Sequence, residues 1–375
     1  MSYRVVQWAT GAMGTACLRA IIDDPRLHLV GVYVYDTAKV GVDAGTIARR
    51  AETGVCATDS VEEILSLGAD VVVHAARLGP YGSHDADFIA MLESGANVIT
   101  INGYSDPLLR ADARSAALHD AAIRGHSSLM AAGLNPGFIG EQLAVVVSGL
   151  TSRLDHLEIT EYVDSRAVRS PDYLFGVLGF GADPAVVDPN DPDWGPVSAL
   201  NGMYEEVVGA VAERLGIDLD RIETDHRVYP APHDLRLAAG TITAGAVSHT
   251  NWRWHGVVGG TPVLTVSIHW YADPTHLPRA DPPLWEITLT GHPGVRVSVD
   301  LDKHPDDTTK MTAEQYALAA EVVNTIPVVC AAEPGVHLRP VVTPHRAGSS
   351  VDLTNPEDWS SSAARALDGL CFRPS

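Results

Sequence analysis

Several things are scarce in this chain of 375 residues. It has four cysteines, Cys17, Cys56, Cys330 and Cys371, and none stand at metal-ligand spacing. That excludes a disulfide framework or a cysteine zinc module and fits a reducing, cytoplasmic compartment. Cations are few: 26 Lys and Arg stand against 47 Asp and Glu, for a formal charge of −21. A field of that sign disfavours nucleic acid and anionic membranes as partners. No apolar run reaches the roughly 18 residues that suggest a bilayer span. The first strand begins at once, without a basic leader, so no signal peptide is expected. Sixteen histidines are present, but they form neither H-E-x-x-H nor another compact ligand set, and the expectation is no metal.

What is present starts at the N-terminus. Val5-Val-Gln-Trp8 reads as a strand, Ala9-Thr10-Gly11-Ala12-Met13-Gly14 as a glycine turn, and Thr15 to Asp23 as a helix. The turn fits G-x-G-x-x-G with alanine in first place. Gly11 leaves the backbone bare for a pyrophosphate, and Gly14 permits close packing of helix on strand. Amides at a helix N-terminus then face the phosphates. A second strand ends at Asp36, which lies 22 residues beyond Gly14, near the roughly 20-residue offset of an acid that binds the adenosine ribose. Asp36 repels a 2′-phosphate and favours NAD over NADP. Lys39, three residues on, keeps NADP open.

Val71 to Ala76, Val98 to Ile101 and Ser127 to Ala132 are apolar strands separated by helices over 60–67, 84–94 and 106–124. That alternation predicts a Rossmann-type parallel sheet, with its loops along one carboxyl edge. The loops place Ala76, Arg77, Asn102, Asn135 and Pro136 along the cofactor path beside Thr10 to Gly14. From about residue 150 the pattern changes to short strands with turns, starting with Leu154 to Val163. It predicts a second α+β domain with an open, mostly antiparallel sheet. The expected division is 1–138 for the dinucleotide domain, 139–311 for the substrate and dimerisation domain, a helix around 312–335 packing back on the first, and a tail over 336–375 with a short helix near 357–369.

This order of domains resembles the dihydrodipicolinate reductase-like superfamily, and within it the branch of 2,4-diaminopentanoate dehydrogenase and the native amine dehydrogenases. The residues carrying it are Gln7–Gly14, Lys39–Gly45, Gly133–Phe138, and Asn324-Thr-Ile-Pro327 with Pro334-Gly335. The resemblance implies NAD(P)H-dependent reduction of a C=O or C=N bond and a homodimer built through the second-domain sheet. It also implies a glutamate in the loop after the fifth strand, used to polarise ammonia. Here that loop reads Ile101-Asn-Gly-Tyr-Ser-Asp-Pro107 and has none. Carbonyl reduction is therefore preferred to reductive amination, with amination at a non-glutamate site as the alternative. A non-catalytic NAD(P)-binding sensor is a further one.

Hydride transfer needs a group that hands a proton to the developing oxygen or nitrogen. Tyr104 stands on the right loop, with Asn102 in support, or else packs as a loop aromatic. His255 and His269 lie on second-domain strands that either face the cleft or turn away from it. Arg166 can anchor a substrate carboxylate, and Tyr173 and Phe180 read as an apolar lid. The many aromatic residues beyond 150 suit a small hydrophobic ketone, aldehyde or imine, or the ordinary core of the sheet.

Overall fold

The computed structural model describes residues 2–341 and 345. In chain order the first half runs β1 (Tyr3–Trp8), α1 (Ala12–Asp23), β2 (Leu27–Tyr33), α2 (Ala44–Ala48), β3 (Ala57–Thr58), α3 (Val61–Leu65), β4 (Val71–His74), α4 (Asp85–Glu93), β5 (Asn97–Thr100), α5 (Ala113–Gly125) and β6 (Ser128–Ala131). A helical segment, Leu134–Leu143, leads into α6 (Ala144–Ser148). The second half runs β7 (Arg153–Asp164), α7 (Gly195–Leu215), β8 (Arg221–Thr224), β9 (Arg227–Pro230), β10 (Leu235–Leu237), β11 (Gly240–Ile242), β12 (Val247–Val258), β13 (Thr261–Tyr271), β14 (Trp285–His292), β15 (Val295–Val299), α8 (Ala313–Cys330) and β16 (Gly335–His337).

The first sheet has seven strands in the order β16-β6-β5-β4-β1-β2-β3, and every pair is parallel. Both faces are buried, as a continuous Val71-Val-Val run demands. Val71 and Val73 pack with α1 and α8, while Val72 packs with Phe88, Leu92 and Leu118 of α4 and α5. Ser60 caps α3 through the Glu63 amide at 3.2 Å, as its place before an acidic turn suggests. The helix read over 106–124 is two elements. A turn over Pro107–Arg110 stops at Ala111, whose φ is +47°, and Asp112 then starts α5 with a capping box to Ser115.

The second sheet follows the order β15-β14-β7-β13-β12-β8, with β9 also on β12. All its pairs are antiparallel except β7 with β13. One face buries Trp252, Trp254, Ile268 and Ile287 against α7 and the 134–148 segment. Tyr204 of α7 stacks on Trp254 with ring centroids 4.4 Å apart, so most of these aromatics serve as core. Thr312 opens α8 with a second capping box. Met311, Ala319, Val322 and Ile326 share the first domain's core. Gly335–His337, where the tail was read to begin, is the outermost strand of the first sheet. The helix expected near 357–369 lies outside the described residues. Among the described residues no helix is long and apolar enough to cross a membrane.

Candidate active site

All seven parallel strands end on one edge, and the loops there build the site. The glycine turn is drawn tightly. Ala9 adopts φ +70°, the left-handed conformation that glycine ordinarily supplies. A Cβ on Gly14 would lie 2.2 Å from the Ala9 carbonyl oxygen, whereas one on Gly11 would meet nothing within 4 Å. Gly14 therefore serves packing and Gly11 an open approach. The Gln7 amide donates to the Trp8 and Ala9 carbonyls at 3.2 and 2.9 Å, pinning the turn from below. No side chain caps α1, so the amides around Ala12 and Met13 remain for an anion. Thr10 is buried and takes Lys39 Nζ on its carbonyl and hydroxyl at 2.9 and 3.1 Å. Asp36 is exposed just past β2, with one carboxylate oxygen accepting from the Ala38 amide at 3.0 Å.

Farther along the edge, Asn102 donates to the Ala76 carbonyl at 2.9 Å, tying the loops after β4 and β5 together. Arg77 is largely exposed and lies 3.9 Å from Asp172, so the loop after β4 touches the second domain. Asn135 and Pro136 open the segment after β6. Asn135 Oδ1 is buried without a partner, an acceptor suited to a carboxamide NH2. The open glycine turn, the uncapped helix and this orphaned oxygen fit the two ends of a nicotinamide dinucleotide.

The residues first assigned to proton transfer lie elsewhere. Tyr104 is buried at φ +64°. Its hydroxyl donates to Asp85 Oδ1 at 2.6 Å, and Arg114 lies over its ring. Burial and then the Asp85 bond raise its phenol far above the ordinary range. It braces α4 against α5 and presents no hydroxyl to the cleft. His255 and His269 occupy the face of the second sheet turned away from α7, since strand alternation sends Trp252 and Trp254 inward. His255 Nδ1 meets Thr265 at 3.0 Å, and His269 Nδ1 meets His249 Nε2 at 2.9 Å. Burial, followed by the Arg253 charge, lowers His269 to about 4. Arg166 is held by its neighbour Asp164 at the surface. Phe180 is core. Asp106 caps the 107–110 turn through the Leu108 amide at 3.1 Å, and Ser105 donates to buried Glu141.

Tyr173 is partly exposed and lies near a buried acid, Glu161. Leu157, Ile159 and Glu161 share one face of β7, so this carboxylate follows the apolar register inward. It accepts from Trp285 Nε1 at 2.9 Å and lies against the Asn135 amide. Residue 161 as a whole is half-buried, and its carboxyl is enclosed by protein groups. Burial raises it to about 7, against the two hydrogen bonds that lower it. Burial and then the Glu161 charge push Tyr173 up to about 12. A carboxyl poised near neutrality, beside an orphaned amide oxygen at the nicotinamide end, can both give and take a proton. The available signal was an acid in an inward strand position.

Comparisons with known proteins agree with the fold. A sequence model of the dihydrodipicolinate reductase N-terminus matches residues 5–78, from β1 through β4. An amine dehydrogenase of Streptomyces virginiae is 27% identical over 370 residues, covering 90% of this chain and 97% of that protein. The chain is thus similar over its length to an amine dehydrogenase and, over its first strands and helices, to the dihydrodipicolinate reductase N-terminus. These likenesses support an NAD(P)-dependent oxidoreductase. A similar fold is seen in the amine dehydrogenase of Mycobacterium smegmatis, with a TM-score of 0.70, 21% identity, and coverage of 90% of this chain and 95% of that one. An oxidoreductase from Agrobacterium radiobacter in complex with NAD+, L-tartaric acid and magnesium shares it with a TM-score of 0.53, 12% identity, and coverage of 89% and 90%.

Proposed function

We propose that the protein reduces a C=N bond formed from a small hydrophobic ketone or aldehyde and ammonia, using NADH in preference to NADPH. The observation that carries this reading is Glu161. The loop after β5 lacks a glutamate, but β7 brings a carboxyl against Asn135. As a carboxylate it pairs with a cationic iminium nitrogen, which hydride reduces directly to the neutral amine, and as an acid it gives the proton that a neutral imine or a carbonyl takes up with the hydride. The bound nicotinamide supplies the hydride at C4. Thr10 to Gly14 hold the pyrophosphate, Ala76, Arg77 and Asn102 line the path, and Asn135 beside Pro136 orients the carboxamide. Tyr173 closes the substrate side, with Arg77 meeting Asp172 over the opening. The reading includes a cytoplasmic homodimer joined through the second-domain sheet.

Direct carbonyl reduction is the second reading, favoured by the missing loop glutamate. A panel of small ketones and aldehydes, with and without ammonium, separates the two by NADH oxidation. Turnover that requires ammonium is the expected result. Equal turnover without it selects carbonyl reduction, and stoichiometric NADH binding with no turnover on any substrate selects a sensor.

Cofactor choice has its own test. Lys39 is engaged by Thr10, and Asp36 is exposed at the ribose end. Asp36→Ala is expected to weaken NADH binding roughly tenfold to a hundredfold, the loss of hydrogen bonds to a charged group at about 1.5–3 kcal/mol. NADPH should improve relative to NADH. Fluorescence titration of both cofactors checks this, and an unchanged preference removes Asp36 from the ribose site.

A further inference from the structure

His74 closes β4 and points to the α4 side of the first sheet, with Val72. Its imidazole is enclosed by rings: the centroids of Phe88 and His84 each lie 4.7 Å away, and that of Trp8 6.3 Å. The side chain is fully buried, and neither ring nitrogen has a hydrogen-bond partner. A buried imidazole of this kind leaves two polar atoms unpaid, which native cores rarely tolerate without a hidden partner. His84 and Asp87 come at it from the N-terminal end of α4, and one ligand atom from each of the three lies within 4.8 Å of the others. His84 uses Nε2 on the Arg77 carbonyl at 3.1 Å, which leaves Nδ1. Asp87 accepts only a long 3.4 Å contact from the Tyr35 hydroxyl.

We propose that His74, His84 and Asp87 form a binding site for one divalent transition-metal ion of the zinc class. Two imidazoles and one carboxylate suit such an ion, whose N and O ligands lie at about 2.0–2.2 Å. Calcium and magnesium prefer all-oxygen shells. Three protein ligands leave a fourth position for water. Side-chain rotation of His84 and Asp87, both only half-buried, is enough to contract the triad. The ten-residue gap between the histidines is why a search for compact ligand spacing passes over it.

The site lies apart from Glu161 and supplies no group to the reaction. Its effect is on the backbone. It clips the end of β4 to the start of α4 and fixes the intervening loop, which carries Ala76 and Arg77 on the cofactor path. The bound ion is thus a positioning device for the dinucleotide. Its existence does not depend on what the enzyme reduces.

The test uses the full chain, stripped with a chelator and titrated with Co2+ and Zn2+. Wild type is expected to bind one equivalent, with visible d–d absorption from Co2+ in a low-coordinate nitrogen and oxygen site, and Zn2+ should displace it. His84→Ala and Asp87→Ala should each weaken binding by at least about 100-fold, since even outer-shell partners of metal ligands are worth roughly 10–100-fold. Zn2+ should raise the thermal midpoint of wild type and leave both variants unmoved. These variants keep the buried His74 in place, so folding can be verified by circular dichroism. Absence of stoichiometric Co2+ bands overturns the proposal. So does binding that survives unchanged in both variants, which would place the ion on other histidines.

Discussion

Glu161→Gln is expected to lower the turnover number by about 10²–10⁴-fold, the usual contribution of a positioned acid or base, while NADH affinity stays near wild type. Glutamine preserves the volume and can still accept from Trp285, so the fold should hold. A variant that loses NADH affinity and turnover together would instead mark Glu161 as a packing residue. The pH profile gives an independent readout. The folded carboxyl titrates near 7, so its acid form predominates below that value. Reduction limited by proton donation should decline as pH rises through about 7, and the reverse oxidation should gain over the same window. Glu161→Gln should flatten both limbs. Tyr104→Phe is the contrast. Because that hydroxyl serves Asp85, turnover should stay within a few-fold, with a stability loss of about 1 kcal/mol for one hydrogen bond. A profile in which Tyr104→Phe falls and Glu161→Gln does not would return proton transfer to the 102–106 loop.

Arg339→Met is expected to destabilise the fold by about 3–5 kcal/mol, the cost of stranding one member of a buried ion pair. Arg339 pairs with Glu321 of α8, and their side chains are 7% and 9% exposed. Glu321 also accepts from the Gly133 amide, two residues before Asn135. The pair therefore secures the far edge of the first sheet and the carboxamide end of the cofactor path together. Denaturant midpoints measure the first effect, and NADH titration the second. Arg339→Met combined with Glu321→Gln should recover part of the loss, because the stranded charge is gone. An Arg339→Met midpoint equal to wild type would show that the pair contributes nothing net.

Local sequence patterns made much of the first domain legible, because buried parallel strands and capped helices leave dense signals over short windows. Ser60, Gly11, Gly14 and the Val71-Val-Val run each announce their role within a few residues. The second domain was coarser. β7 pairs in parallel with β13, a contact across a hundred residues that no window contains, and α7 begins earlier than its amphipathic stripe because Pro196 tolerates a first turn. The catalytic assignment failed at Tyr104 for a conformational reason. Its loop was placed at the right edge, but a left-handed backbone at residue 104 turned the ring downward, and nothing in Ile101–Pro107 encodes that. Glu161 is an inward acid in an alternating strand, but its partner Asn135 lies 26 residues earlier, so only the folded chain shows the pair. The histidines show the converse: alternation placed Trp252 and Trp254 correctly, and the same rule already sent His255 to the opposite face.

The route of the chain through its two sheets has a mechanical consequence. The polypeptide leaves the first domain after β6 and returns to it at α8 before adding β16 as the outer strand. The two halves are thus tethered at two separate points. A single tether would permit swivel and drift; a double one leaves rotation about the line between the tethers as the soft degree of freedom. A hinge about that line would let the jaws open for a dinucleotide and close to the same registration, returning Asn135 and Glu161, one from each jaw, to the contact they make here.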